Sequence, residues 1–204
     1  NPDFRADMLV TLRNSAEKLQ ALLARLSRYG ASALDRLEEL DPRDVVRAVA
    51  AAGATQHPVI VGECQDCRVI GNRETLEQVL THLVQNAIDA SAPDRPVTIR
   101  VSSSGLHCAI EVADTGAGMS ADFVRNRLFK PFVSTKPGGF GIGAFEAREL
   151  VRAMQGRLDV ESREGLGSRF TVRLPIAAAA ELMQAMNKKS AGASPVGPNN
   201  AKVA

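Results

Sequence analysis

The chain has no tryptophan and one tyrosine, Tyr29, among 204 residues, and aromatic side chains make up only 4% of it. Platforms on which single-stranded nucleic acid could stack are therefore scarce. A formal net charge of +2 gives no electrostatic reason to expect nucleic acid or lipid as a partner. No apolar run approaches the length that crosses a bilayer. Residues 1–30 carry charge throughout, without the compact apolar segment of a signal peptide. Cys64, Cys67 and Cys108 make an odd count, unlike a secreted disulfide framework, so reduced thiols in a cytoplasmic protein are expected. Cys64-Gln-Asp-Cys67 has the spacing of half a zinc site. No second pair among Cys108, His57, His82 and His107 supplies the other half. The chain begins at Asn rather than Met, which suggests part of a longer protein.

Hydrophobic residues at 45% and charged residues at 24% describe an ordinary globular chain, one domain with extensions. From Phe4 to Tyr29 no Gly or Pro interrupts, and Leu12, Leu19 and Leu26 recur every seven residues. Such a helix has one broad apolar face that needs partner helices to bury it. Asp41-Pro42 opens a helix to about Ala52, and Asn72 caps a longer one from Arg73 to about Ala90. Residues 59–61, 97–101 and 108–112 read as strands, 121–128 and 144–155 as helices. Residues 157–162 and 169–174 form a closing hairpin turned at 164–167. Helices on one face of a mixed sheet predict a two-layer α/β sandwich. From Lys188 to Ala204, Ser, Pro, Gly and Asn dominate, the composition of a disordered tail.

Within this frame, chemistry-bearing residues cluster between positions 82 and 168. His82 and Asn86 share a helix face, with Asp89 near them. An amide oxygen is a competent magnesium ligand, although most asparagines simply bond backbone or water. Asp114 follows a strand and precedes Gly116 and Gly118. An ionised carboxylate accepts hydrogen bonds only, which suits an exocyclic amine, and glycine permits close approach of the backbone to a ring. Asp114-Thr-Gly116 also occurs in aspartic proteases, but those need a second such loop and a mostly β chain. Gly139-Phe140-Gly141-Ile142-Gly143 matches the dinucleotide fingerprint in letters only. Pro137 and Gly138 stand where a strand must run into the first glycine, and Lys136 lies upstream rather than after the last glycine as a P-loop requires. What remains is a glycine-rich lid whose amides, at a helix start, can hold phosphates. Phe129-Lys-Pro-Phe132 would anchor the lid with two buried rings. Lys136 is either a phosphate-facing cation or a solvated loop lysine.

In this order, Asn86, Asp114 to Gly118, Phe129 to Phe132 and Gly139 to Gly143 resemble the motifs of the ATP-binding domain of bacterial sensor histidine kinases. That domain belongs to the gyrase, chaperone, kinase and mismatch-repair (GHKL) ATPase superfamily, and the resemblance covers roughly residues 41–175. It implies the Bergerat form of the α/β sandwich, with ATP and Mg²⁺ as ligands and Asn86 on the metal. It assigns Asp114 to adenine with Met119 in the apolar wall, Asp89, Lys136 and the residues 139–143 to nucleotide contacts, and the Ser168 hydroxyl to support of Asp114. Residues 1–30 would then be the second helix of a dimerisation and phosphotransfer bundle, 31–40 a linker and 176–204 a largely disordered tail. The partners implied are a second copy of the chain, through the bundle, and a response regulator. Residues 135–149 are similar to kinases associated with the exosortase (PEP-CTERM) export system.

Two departures from the family pattern matter. Clamp-type members carry a glutamate four residues before the metal asparagine, as base for an attacking water. Here His82 stands there, either as a base suited to an acceptor imidazole or as a contact to the bundle. No histidine of the chain fits the phosphoacceptor pattern, so the acceptor is expected upstream of Asn1. The expected function is the catalytic core of a sensor histidine kinase. A clamp-type ATPase and a non-enzymatic nucleotide-binding module are the alternatives.

Overall fold

The computed structural model of the protein describes residues 37–136 and 139–179, together with Met8 and Arg13. Eleven named elements occur within these residues. Strand β1 (Glu38–Leu40) pairs antiparallel with β3 (Val69–Gly71) in a small sheet. Strands β2 (Val59–Cys64), β4 (Val97–Ser104), β5 (His107–Ala113), β6 (Arg157–Arg163) and β7 (Gly167–Pro175) form the main sheet, in the order β2-β4-β5-β7-β6. The β2–β4 pair is parallel and the other three are antiparallel. Helices α1 (Pro42–Gly53), α2 (Arg73–Ala90) and α4 (Gly143–Ala153) cover one face, and the short α3 (Ala121–Asn126) lies by β6. The expected two-layer α/β sandwich is the observed one.

Local chemistry sets the helix starts. The Asp41 carboxylate accepts from the Arg43 amide at 2.9 Å, with Pro42 in the first helical turn. Asn72 Oδ1 accepts from the Thr75 amide at 2.9 Å, and Ser120 Oγ from the Phe123 amide at 3.2 Å. Each side chain satisfies a donor that a helix N-terminus leaves unpaired. Helix α4 is the exception: Ile142 occupies its N-cap and no side chain caps it.

Burial then orders the layers. Leu76, Val79, Leu80 and Leu83 of α2 are fully buried against Ile99, Ile110 and Leu174 of the sheet. The other sheet face carries charge: Arg100 pairs with Glu111 at 3.6 Å, and Arg169 bridges Glu111 at 3.2 Å and Glu161 at 3.5 Å. Solvated pairs of this kind contribute little stability, under about 1 kcal/mol each, but they keep that face wet. The sheet thus presents only one side to a core.

Several expectations change. Strands β1 and β3 were not anticipated. They bring residues 38–40, read as the end of a linker, into the fold. Strand β2 runs three residues further than expected, β4 and β5 continue to their connecting turn at Gly105, and α3 stops at Asn126 rather than Leu128. Instead of three reduced thiols, Cys67 and Cys108 form a disulfide with Cα atoms 6.3 Å apart, and Cys64 stays free. The cause is tertiary: Cys108 faces inward from β5, and the β2–β3 connection carries Cys67 over it. The expected bundle helix over residues 1–30, apart from helical and exposed Met8 and Arg13, lies outside the described residues, as does the expected tail from residue 180. Among the described residues, no helix is long and apolar enough to cross a membrane.

Replacing the α2 cap should be costly and chemically specific. Asn72→Ala is expected to lower unfolding stability by about 1 kcal/mol, and Asn72→Asp to retain most of it. Urea denaturation followed by circular dichroism measures both.

Candidate functional site

A cavity of about 510 Å³ opens between α2, the sheet and the segment entering α4. Its volume is that of a small-ligand site. His82, Asn86, Asp89 and Ala90 of α2 form one wall. Asp114, Ser168 and Phe170 rise from the ends of β5 and β7. Gly118, Met119, Phe123 and Leu128 form the apolar side, and the rim is built from residues 133–136 and 139–144. The residues assigned to the metal, the base and the phosphates therefore line one cavity, except Gly116; Phe129 and Phe132, the expected anchors, lie outside its lining.

The four-residue spacing of His82 and Asn86 aims both side chains out of α2, while Leu83 and Ala87, each next in sequence to one of them, point into the core. Asp89 sits one turn from Gln85, whose Nε2 donates to Asp89 Oδ1 at 2.7 Å. Lys136 crosses from the rim to both acidic and amide groups: its Nζ donates to Asn86 Oδ1 at 2.9 Å and to Asp89 Oδ2 at 2.6 Å. Partial burial opposes ionisation of Asp89, but the hydrogen bonds from Lys136 and Gln85 outweigh it and hold the carboxyl below its ordinary value. The pair is well exposed, so it exchanges partners at little cost.

On the sheet side of the cavity, Asp114 is buried at 8% relative exposure. Its Oδ1 accepts from the Gly116 amide at 2.8 Å and the Ser168 amide at 3.2 Å. Among the described residues Oδ2 has no protein donor, although Asp114 lines the cavity. Burial pushes this carboxyl above its ordinary value, and the two amides offset part of that rise. The Ser168 hydroxyl differs from expectation: it does not reach Asp114 but lies 2.9 Å from Ser162 Oγ. Ser162 also donates to the Gly167 carbonyl at 3.0 Å and accepts from the Met119 amide at 2.9 Å. Support for Asp114 therefore comes from the Ser168 backbone, and Ser162, which sequence reasoning missed, ties Met119 to the hairpin. The signal that could have found it is the β6–β7 register, which pairs Ser162 with Ser168.

The glycines also earn their places differently. Gly116 packs on the Ala90 carbonyl at the end of α2, where a Cβ would collide, and takes no part in the cavity wall. Gly118, at φ +66°, turns against the Arg163 carbonyl. Gly143 lies against the His82 imidazole so closely that any side chain there would displace the ring. His82 is thereby fixed at the first turn of α4. Of the two expected anchor rings, Phe129 packs against the core, but Phe132 is 45% exposed with φ +65° and anchors nothing by burial.

The donor set suits a nucleotide and a hard cation. Asn86 and Asp89 offer oxygen ligands already engaged by a cationic group, and the start of α4, which no side chain caps, lines the same cavity. Comparison with known proteins agrees with this geometry. Residues 71–178 match the family described as histidine kinase-, DNA gyrase B-, and HSP90-like ATPase. The chain is 32% identical over 185 residues to the C4-dicarboxylate transport sensor protein DctS of Rhodobacter capsulatus, covering 82% of this chain and 28% of that protein. It is 37% identical over 103 residues to the sensor histidine kinase ZraS of Escherichia coli, covering 50% of this chain and 22% of the relative. It thus spans only about a quarter of the length of these relatives. Among solved structures, full-length ShkA in complex with AMPPNP superposes with a TM-score of 0.66 at 26% identity, covering 82% of this chain and 38% of that one. The catalytic domain of histidine kinase ThkA gives 0.62 at 25%, covering 69% and 95%. The chain therefore belongs to the histidine kinase-, DNA gyrase B- and HSP90-like ATPases, and residues 71–178 are an ATP-binding catalytic core of the sensor histidine kinase kind.

Proposed function

We propose that this core binds ATP with Mg²⁺ in the cavity and transfers the terminal phosphoryl group to a histidine outside residues 1–204. A response regulator would receive it next. The observation that carries this reading is that two sets of polar groups enter the cavity from different elements. Asp114 offers a free carboxylate oxygen from the sheet side, and Asn86, Asp89 and Lys136 gather on the helix side. Asp114 Oδ2 accepts the adenine amine and disfavours a carbonyl in its place. Met119, Phe123 and Leu128 cover the ring's apolar faces. Asn86 would hold the metal, with Asp89 beside it, and a Mg²⁺ ion there would supply charge neutralisation for the phosphates. The amides of α4 from Gly143 onward bind phosphate oxygens. Lys136 leaves Asn86 for the terminal phosphate, and transfer proceeds by positioning and charge neutralisation.

His82, held against Gly143, faces the phosphate end and acts as the base for an incoming imidazole. The same residue disfavours a clamp-type ATPase, which places a carboxylate at that position. Dimerisation through a bundle containing residues 1–30, and action in the cytoplasm, follow from the kinase reading. The relatives named above carry different sensor names, and none bears on the likeness of residues 135–149 to exosortase-associated kinases.

Incubation with Mg-ATP should give bound nucleotide and almost no ADP, because the acceptor histidine is missing. Asn86→Ala is expected to weaken Mg-dependent binding at least about tenfold, the loss of one metal contact. Sustained ADP release by the unaltered chain would instead favour the clamp-type ATPase.

Asp114→Asn should reduce ATP affinity by about 10- to 100-fold while the fold persists, since it replaces an acceptor of the buried amine with a donor-bearing amide. Acid should act in the same direction. Asp114 titrates above the ordinary 3.8, so affinity should fall as pH drops through that raised value, earlier than an unperturbed carboxylate would cause. Stability has the opposite sign: the protonated carboxyl favours folding below 3.8, and that share is lost as pH rises through the raised value. Calorimetric titration with ATP across pH 4 to 7, with Asp114→Asn as a pH-insensitive control, separates the two.

A further inference from the structure

We infer that Arg148 is a positioning residue that fastens together the two ends of the segment bearing Lys136 and the residues 139–143. This inference rests on the nucleotide-site reading above. Arg148 lies in the second turn of α4 and is not among the residues that line the cavity. Its guanidinium stands 4.8 Å from the centroid of the Phe129 ring and 5.9 Å from that of Phe145. Nη2 donates to the Phe129 carbonyl at 3.3 Å, and Nε pairs with Glu149 Oε1 at 3.3 Å. The side chain is only 26% exposed, and the Phe129 ring beneath it packs against the core.

Phe129 is the last core-packed residue before the rim, and Gly143 is the first residue of α4 after it. Arg148 thus joins the chain entering the phosphate-facing segment to the chain leaving it. The contact joins positions nineteen apart in sequence and so closes the rim segment at its base. Closing a loop removes conformations that binding would otherwise have to exclude. A planar, always-charged guanidinium can stack on one ring and bond the neighbouring carbonyl together, which an ammonium cannot reproduce. Adenine-facing groups lie elsewhere: Asp114 and Met119 are held by Ser168, Gly116 and Ser162, none of which contacts Arg148. The clamp should therefore govern the grip on phosphates and leave the grip on the base alone.

The test compares ATP with adenosine, both titrated in the presence of Mg²⁺ by amide chemical shifts, for the unaltered chain and for Arg148→Met, Arg148→Lys and Phe129→Leu. Arg148→Met should weaken ATP about five- to tenfold and change adenosine less than about twofold. Arg148→Lys should recover only part of the loss. Combining Arg148→Met with Phe129→Leu should cost no more than the worse single change, since both break one contact. Unchanged adenosine affinity also certifies that each variant is folded at the pocket. Equal losses for both ligands, unchanged ATP affinity, or additive single effects would overturn the clamp while leaving the ATP site standing. If the unaltered chain bound neither ligand, the nucleotide reading would fail and the clamp with it.

Discussion

Helix α2 has to satisfy two surroundings at once, and the rest of the structure is arranged to let it. Leu76, Val79, Leu80 and Leu83 are fully buried on its inner face. His82, Asn86 and Asp89 occupy the stripe that remains and look into the cavity. Burying the apolar stripe fixes the helix about its own axis, because any rotation would expose leucines. The polar stripe is then aimed without further help. The Asn72 cap sets where the helix begins, so it also sets where Asn86, nearly four turns on, comes to rest.

The remaining parts of the site lean on that helix. Gly116 rests on its last turn through the Ala90 carbonyl, which places the loop after β5, and so Asp114, relative to Asn86. Gly143 rests on His82, which places the start of α4. Two glycines therefore act as contact points between a rigid helix and two loops of different chemistry. The sheet takes its reference from the same core. Its outer face, with Arg100, Glu111, Arg169 and Glu161 in a row, needs no second layer of cover.

Much of this could be read from residue order. Chemistry held within a few positions of a single element was legible. Helical spacing put His82, Asn86 and Asp89 together, a strand end announced Asp114, and a glycine run announced the rim. Features made by strand register or by distant contacts were not legible. Ser168 looked like a hydroxyl donor to Asp114, but the β6–β7 register turns that hydroxyl to Ser162 and leaves the amide for Asp114. Phe129 and Phe132 looked equivalent, and only one has a core to enter. Strands of three residues, as in β1 and β3, carry too little alternation to be seen in advance. The Cys67–Cys108 link and the Arg148–Phe129 contact join positions that no local pattern connects.

The position of Lys136 has an electrical consequence. With its ammonium on Asn86 and Asp89, the protein carries a positive charge at the place proposed above for the metal ion. A cation entering there replaces another cation, so the local field changes far less than it would at a bare carboxylate. The displaced ammonium stays tethered nearby and is free to meet an anion. On the proposed reading, occupation of the site would be an ion exchange, in which the protein gives up its own counter-ion and gains a second positive charge for the phosphates.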